Sequence, residues 1–217
     1  MKKKIIFCMG TGRCGTSSAA FLLNSQKSSV FTHELFPILP WEEERSRSNA
    51  AKSLIQFKFN QLTHQCHNYD IVGDSGSYYL PYAEVLIRSL RDSHDYSLKF
   101  LVLKRDKSQT VKSFLTKFKT QNNNPLQRHN GLKNEWDASF PKYDTWTLED
   151  AVQKYYDEYY ERSNRLASDF PEVVKVFNIE DLNSEEGLRG IFRFLEIEDP
   201  FLITNIRKNP TKTVENE

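Results

Sequence analysis

The hydrophobic pattern opens with a short apolar run, residues 4–9, that predicts a buried β-strand. The glycine-containing stretch 10–15 ends this strand. Residues 16–24 then carry apolar side chains at the spacing of a helix. The chain is therefore predicted to begin with a strand, a glycine-rich loop and a helix.

Short apolar runs and amphipathic stretches alternate along the rest of the chain. The predicted further strands are 30–32, 70–73, 98–103 and 173–177, and the predicted further helices are 44–66, 82–90, 108–119, 147–167 and 185–195. Within 44–66, Leu54, Phe57 and Leu62 occur at a spacing compatible with a helix. The alternation predicts an α/β fold with three layers: a mostly parallel sheet flanked by helices.

One stretch, residues 120–146, breaks the alternation. It is polar and irregular, and it contains Trp136 and Trp146. Loops of this length in compact domains are usually functional or disordered. We therefore expect a single domain over residues 1–217, with 120–146 as a substrate lid or insertion.

Composition and charge narrow the classes of protein. Hydrophobic residues make up 38% and charged residues 27% of the 217 residues, as in soluble globular proteins. A net charge of +1 argues against general nucleic-acid binding, and no apolar stretch is long enough to span a membrane. The three cysteines, Cys8, Cys14 and Cys66, show no paired spacing, which favours a reducing cytoplasm. We expect no metal site, and the oligomeric state stays open.

The first loop has the composition of an anion-binding loop. It reads Gly10-Thr11-Gly12-Arg13-Cys14-Gly15-Thr16-Ser17 between a predicted strand and a predicted helix. Glycines let several amide groups point at one anion, and the N-terminus of a helix adds partial positive charge. The loop therefore suits a phosphate or sulfate group.

Three interpretations of this loop stay open on its residues alone. The outer glycines fit a phosphate-binding loop of NTPases, but Thr16 stands where a P-loop kinase needs lysine. The pattern G-x-G-x-x-G also fits a dinucleotide-binding oxidoreductase, with Glu34 about 20 residues on as the ribose-binding acid. The third interpretation is an anion-binding loop without the lysine, in which Arg13, inside the loop, supplies the missing cation.

A second candidate anion site follows the predicted strand 98–103. Arg105 lies at the end of that strand, where ligands of α/β proteins bind, and Ser113 lies about two helical turns further on. The two side chains can share an anion if the helix runs back over the site. The alternative is an exposed basic cap in which Arg105 pairs with Asp106.

Together these motifs resemble the PAPS-dependent sulfotransferase family. The stretch 12–17 is similar to that family's R-S-G-T-[ST] loop, with Cys14 in place of serine. The stretch 101–106 followed by Ser113 resembles its L-V-x-R-[DN]-P motif and serine, and residues 174–182 resemble its Y-E-D-L strand end. One departure is that many relatives carry a lysine in G-[DE]-K-[ST], where this chain has Ser75; Lys104 and Arg13 are candidates to replace it.

The resemblance implies a P-loop-NTPase-like fold, 3′-phosphoadenosine 5′-phosphosulfate (PAPS) as the sulfonate donor, adenosine 3′,5′-bisphosphate (PAP) as the product, and no metal. It places the 3′-phosphate on the second site, Arg105 and Ser113. It places the 5′-phosphosulfate on the loop, whose residues are Gly12, Arg13, Cys14, Gly15, Thr16 and Ser17.

The acceptor hydroxyl needs a base, and two residues after the second predicted strand are candidates. Glu34 is favoured, because glycan- and tyrosine-directed members of the family resemble this chain in carrying a glutamate there, and His33 is the second candidate. The acceptor is expected to be a hydroxyl compound, with a glycan as the first guess. A P-loop kinase, a dinucleotide-binding oxidoreductase and a non-catalytic binding module remain the alternatives.

Overall fold

The computed structural model describes residues 2–42, 48–90, 93–121, 124–128, 135–204 and 206. The chain forms five β-strands and six α-helices within these residues. The strands are β1 (Lys3–Met9), β2 (Ser29–His33), β3 (Ile71–Ser75), β4 (Tyr96–Lys104) and β5 (Val174–Asn178). The helices are α1 (Thr16–Asn24), α2 (Asn49–Gln65), α3 (Ala83–Leu90), α4 (Lys107–Thr120), α5 (Leu148–Asp169) and α6 (Glu185–Phe194).

All five strands run parallel, in the order β2-β3-β1-β4-β5. Strand β1 lies at the centre, with Phe7 opposite Asp74 of β3 and Phe100 of β4. The C-terminal ends of the strands therefore share one edge. The loop after β1, the end of β2 and the end of β4 all lie along that edge.

Helices cover both faces of the sheet. Alternate side chains of β1 point to opposite faces, as the period of a strand requires. Ile5 and Phe7 pack in a core with α2, α3, α4 and α5. Ile6 and Cys8 pack in the second core with α1 and α6. The predicted three-layer α/β fold with a parallel, helix-flanked sheet is confirmed.

The predicted elements agree with the observed ones to within a few residues. Residues 43–47, which include the start of the predicted helix 44–66, lie outside the described residues. In α2 the side chain of Phe57 is 53% exposed, whereas the neighbouring Lys58 is buried, with an exposed fraction of 0%. A hydrophobicity pattern predicts that a lysine is exposed, because the pattern contains no information about a buried partner for the ammonium group.

Helix α5 ties the C-terminal edge of the sheet together through four tyrosine hydroxyls. Each hydroxyl donates a hydrogen bond to a backbone carbonyl at this edge: Tyr155 to Thr11 (3.1 Å), Tyr156 to Arg105 (2.7 Å), Tyr159 to Ser77 (3.1 Å) and Tyr160 to Leu103 (2.8 Å). The acids between these tyrosines, Asp157 and Glu158, instead make ion pairs with Lys107 and Arg162. One rigid helix therefore holds the ends of several strands.

The packing around Gly73 of β3 yields a test of the fold. A Cβ atom there would lie 2.2 Å from the carbonyl oxygen of Ile6 and from the ring of Phe31. Because backbone cannot easily move aside, we expect Gly73→Ala to lower the free energy of unfolding by about 2 kcal/mol. Urea unfolding followed by circular dichroism measures this change.

Gly190 of α6 provides the matched control, because a Cβ atom there meets only Phe177, at 3.8 Å. Alanine is favoured over glycine inside a helix, so Gly190→Ala should raise stability by up to about 1 kcal/mol. A Gly73→Ala variant as stable as the parent would contradict the close approach of Phe31 and Ile6.

Candidate functional site

The loop between β1 and α1 adopts the backbone conformation of an anion-binding loop. Gly12, Arg13 and Gly15 have φ angles of +85°, +59° and +89°, in the left-handed region. Glycine reaches this region without strain, whereas arginine rarely does. Left-handed residues turn successive amide groups toward one side, which is how backbone nests receive anions. Because Gly15 is the N-cap of α1 and has no side chain, the start of this helix suits an anion as its cap.

The loop opens into a cleft of about 950 Å³ at the C-terminal edge of the sheet. Gly12, Arg13, Gly15, Thr16 and Ser17 line this cleft, and its volume is in the range of small-molecule sites. Of the predicted loop residues, these five are brought together at one surface.

Cys14 is the loop residue whose side chain faces the other way. It is completely buried and packs in the core beneath the loop. Burial raises the pKa of this thiol. Its side chain is therefore part of the loop's support, and a contribution of Cys14 to anion binding is limited to its backbone amide.

The two predicted anion sites meet at Arg13. Its Nε donates a hydrogen bond to Oγ of Ser113, 3.0 Å away, and Nη1 of Arg105 donates to the carbonyl oxygen of Arg13 at 3.2 Å. Ser113 is only 4% exposed, so its contact with Arg13 is a support for that side chain. Arg105 lines the cleft and also binds Gln109.

The guanidinium groups of Arg13 and Arg105 interact electrostatically. Burial lowers the pKa of Arg13, and the positive charge of Arg105 lowers it further. Like charges held close together repel each other, and an anion between them relieves this repulsion. Guanidinium groups also bind phosphate and sulfate oxygens through paired hydrogen bonds. The pair therefore fits an anionic ligand.

His33 and Glu34 lie on the opposite side of the loop from Arg105 in the sheet order. His33 ends β2, its Nε2 is 3.5 Å from Oγ1 of Thr16, and its Nδ1 is 3.5 Å from Oε2 of Glu34. Both side chains line the cleft and are about one-third exposed. Glu34 has a φ of +59°. Left-handed conformations of residues other than glycine are uncommon and occur often at functional sites.

Lys117 is a cleft residue that the sequence analysis missed. It lies on α4 one turn beyond Ser113 and lines the same cleft as Arg13. Burial lowers the pKa of Lys117; the charge of Arg13 lowers it further and that of Glu34 raises it. The spacing of Ser113 and Lys117 by four residues was the available signal, since it places both on one face of a helix. Lys104, a predicted stand-in for the missing lysine, instead lies over the ring of Tyr160.

The predicted insertion 120–146 is described only in part. Trp136, Asp137 and Phe140 from this segment line the cleft, while Trp146 is 98% exposed and lies elsewhere on the surface. Trp41 packs against Tyr155 of α5. Residues 122–123 and 129–134 lie outside the described residues, so a lid over the cleft stays a prediction.

Two features are absent from the described part of the chain. No group of three or more histidine, cysteine, aspartate or glutamate side chains there is placed to hold a metal ion. No helix among the described residues combines the length and apolar character needed to cross a membrane.

Comparison with known proteins gives matches at the level of structure. No protein-family model and no curated protein sequence matches the chain significantly. A sulfotransferase from Alicyclobacillus acidocaldarius aligns with a TM-score of 0.56 and 20% identity, over 97% of this chain and 88% of that one. The sulfotransferase domain from the curacin biosynthetic pathway aligns with a TM-score of 0.57 and 16% identity, over 92% of this chain and 75% of that one.

The chain therefore has the P-loop-NTPase-like fold of these sulfotransferases. Its strand order is not that of a dinucleotide-binding domain. In the latter, β1 lies beside β2, whereas here β3 separates them. The G-x-G-x-x-G pattern at residues 10–15 thus occurs in a sheet whose strand order differs from that of a dinucleotide-binding domain.

The position of Cys14 can be tested by its reactivity. Burial raises the pKa of the thiols of Cys8 and Cys14, and a raised pKa lowers the fraction of reactive thiolate at a given pH. We expect both thiols to react with iodoacetamide at pH 8 about 100-fold more slowly in the native protein than in urea. Peptide mass spectrometry assigns the sites, and rapid native modification of Cys14 would instead place its thiol in the cleft.

Proposed function

We propose that this protein is a sulfotransferase that moves a sulfonate group from PAPS to a hydroxyl acceptor. The observation that carries the proposal is the contact between Arg13 of the loop and the second anion site, Arg105 and Ser113. A phosphate loop beside a second cationic site suits a nucleotide with anionic groups at two positions. The fold shared with solved sulfotransferases supports the same function.

The donor site uses backbone and side-chain groups together. The loop amides, Thr16 and Ser17 would hold the 5′-phosphosulfate, and Arg105 would hold the 3′-phosphate. Ser113 contacts Arg13, so in this proposal it orients that guanidinium as well as contributing to the second site. PAPS supplies the sulfonate group, and PAP is the product.

Sulfonate transfer requires positioning, charge stabilisation and removal of one proton. Arg13 and the loop amides would stabilise the charge that develops on the donor side. Lys117 is the second cation that we assign to this task, because it lines the cleft and because the charges of Arg13 and Glu34 both affect its pKa. Glu34 would accept the proton of the acceptor hydroxyl, and His33, placed between Thr16 and Glu34, is the second candidate.

The acceptor would lie on the side of the cleft formed by the predicted insertion. Trp136 and Phe140 provide aromatic surface there, and aromatic faces pack against the apolar faces of sugar rings and other rings. A carbohydrate hydroxyl is therefore the acceptor class that we propose. No metal is required for any of these steps.

Nucleotide binding tests the donor site. We expect calorimetry without metal to show micromolar binding of PAP, and Arg105→Ala to weaken it by about 10- to 100-fold, the cost of losing hydrogen bonds to a charged group. Arg189→Ala is the control, because Arg189 forms an exposed ion pair with Glu185 on the surface of α6. Tighter binding of ATP·Mg²⁺ or NADH than of PAP would contradict the proposal and favour the kinase or oxidoreductase interpretation.

Transfer tests the base. We expect Glu34→Gln to lower the rate of PAP formation from PAPS, measured with a panel of saccharide acceptors, by about 10²- to 10⁴-fold. The affinity for PAP should change by less than about twofold, because the amide has the shape of the carboxylate and the donor site is intact. Lys117→Met should also lower this rate. A parental rate in Glu34→Gln together with a large loss in His33→Gln would transfer the role of base to His33.

A further inference from the structure

The backbone at Glu34 needs an explanation, because a glutamate rarely adopts a φ of +59°. The residue follows β2 directly and aims its carboxylate into the cleft beside His33. A conformation of this kind persists only when surrounding contacts determine it. Such contacts are found on both peptide groups that flank Glu34.

Both flanking amide groups are held by the end of β3. The N–H of Glu34 donates a hydrogen bond to the carbonyl oxygen of Ser75 at 2.8 Å. The N–H of Leu35 donates to both carboxylate oxygens of Asp74, at 3.1 and 3.2 Å. The carbonyl oxygen of Leu35 in turn accepts a hydrogen bond from the ammonium group of Lys58.

Asp74 and Lys58 form a buried ion pair directly behind this turn. Their side chains are both 0% exposed, and Nζ lies 3.5 Å from Oδ2. Asp74 also accepts hydrogen bonds from hydroxyl groups of Thr32, Tyr78 and Tyr79. Because the surrounding side chains and backbone satisfy the carboxylate, it has one fixed orientation toward Leu35.

The pair makes no direct contact with the cleft. Neither Asp74 nor Lys58 lines it, and Lys58 reaches the turn from α2, where it lies beside the rings of Tyr78 and Tyr79. Groups in this place do not touch a substrate in the cleft. They act on the site only through the main chain that they hold.

We propose that Lys58 and Asp74 are positioning residues. Through hydrogen bonds to the carbonyl oxygen and the N–H of Leu35, they hold Glu34 in the left-handed conformation that directs its side chain toward the phosphate loop. The catalytic consequence rests on the proposed function, in which Glu34 is the base. The conformational consequence does not depend on it. The pair should therefore govern the transfer rate and leave the affinity for the nucleotide unchanged.

The test uses a double variant, because removal of one partner leaves an uncompensated buried charge that destabilises the whole protein. Lys58→Met with Asp74→Leu removes both charges, and with them the acceptor of the Leu35 N–H, at similar volume. Lys99→Met is the control: Lys99 is also a buried lysine that binds a backbone carbonyl, that of Glu172, and it does not line the cleft.

The first measurement is hydrogen exchange of the Leu35 amide in the folded protein, which requires no activity. In the double variant we expect this amide to exchange about tenfold faster or more, while the amide of Phe100, bonded to Val173, keeps its protection. Lys99→Met should leave Leu35 unchanged. Parental protection of Leu35 in a folded double variant would overturn the proposal.

The second measurement is the rate of PAP formation from PAPS. In the double variant we expect kcat to fall by about 10- to 100-fold, with the affinity for PAP within about twofold of the parent. A parental kcat in the double variant would overturn the positioning role. If the parent protein itself forms no PAP, the proposed function fails, and the hydrogen exchange of Leu35 alone decides whether the pair holds the turn.

Discussion

The site depends on the hydrogen bonds that the tyrosine hydroxyls of α5 donate to backbone carbonyls. Tyr155 holds the carbonyl of Thr11 in the phosphate loop, and Tyr156 holds the carbonyl of Arg105 after β4. An unpaired hydroxyl or carbonyl in the protein interior costs free energy, so these bonds resist any shift of the helix. The loop and Arg105 belong to different strands, and α5 fixes the distance between them.

Much of this architecture is readable in the sequence, because β1 and the loop obey simple local rules. A fully apolar strand, glycines at positions that need left-handed backbone, and a helix that begins at Thr16 occur in one continuous stretch. The end of β4 is equally easy to predict, because an apolar run marks the strand. The sequence therefore places Arg105 at the edge of the sheet where the structure has it. The predicted roles of Glu34 and His33 remain predictions, although both residues do line the cleft.

Two lysines were missed in the sequence analysis. The spacing of Lys117 from Ser113 places both on one face of α4, but the packing of α4 against the sheet decides whether that face meets the cleft. Lys58 is the harder case, because a lysine is normally expected at the protein surface. The partner that makes burial of Lys58 tolerable, Asp74, belongs to another element of the fold. Interactions between residues distant in sequence therefore decide the features that local rules miss.

The end of β3 is closely packed and carries no cation. Ser75 is 0% exposed, and a Cβ atom on Gly76 would lie 2.6 Å from the ring of Tyr78. In the proposed function that charge comes from Lys117 on α4, the helix that also carries Ser113. The groups that would bind the donor are then carried by α4 and the loop, whereas contacts from β3 and α2 hold the conformation of Glu34. The two halves of the reaction are supported by separate parts of the fold.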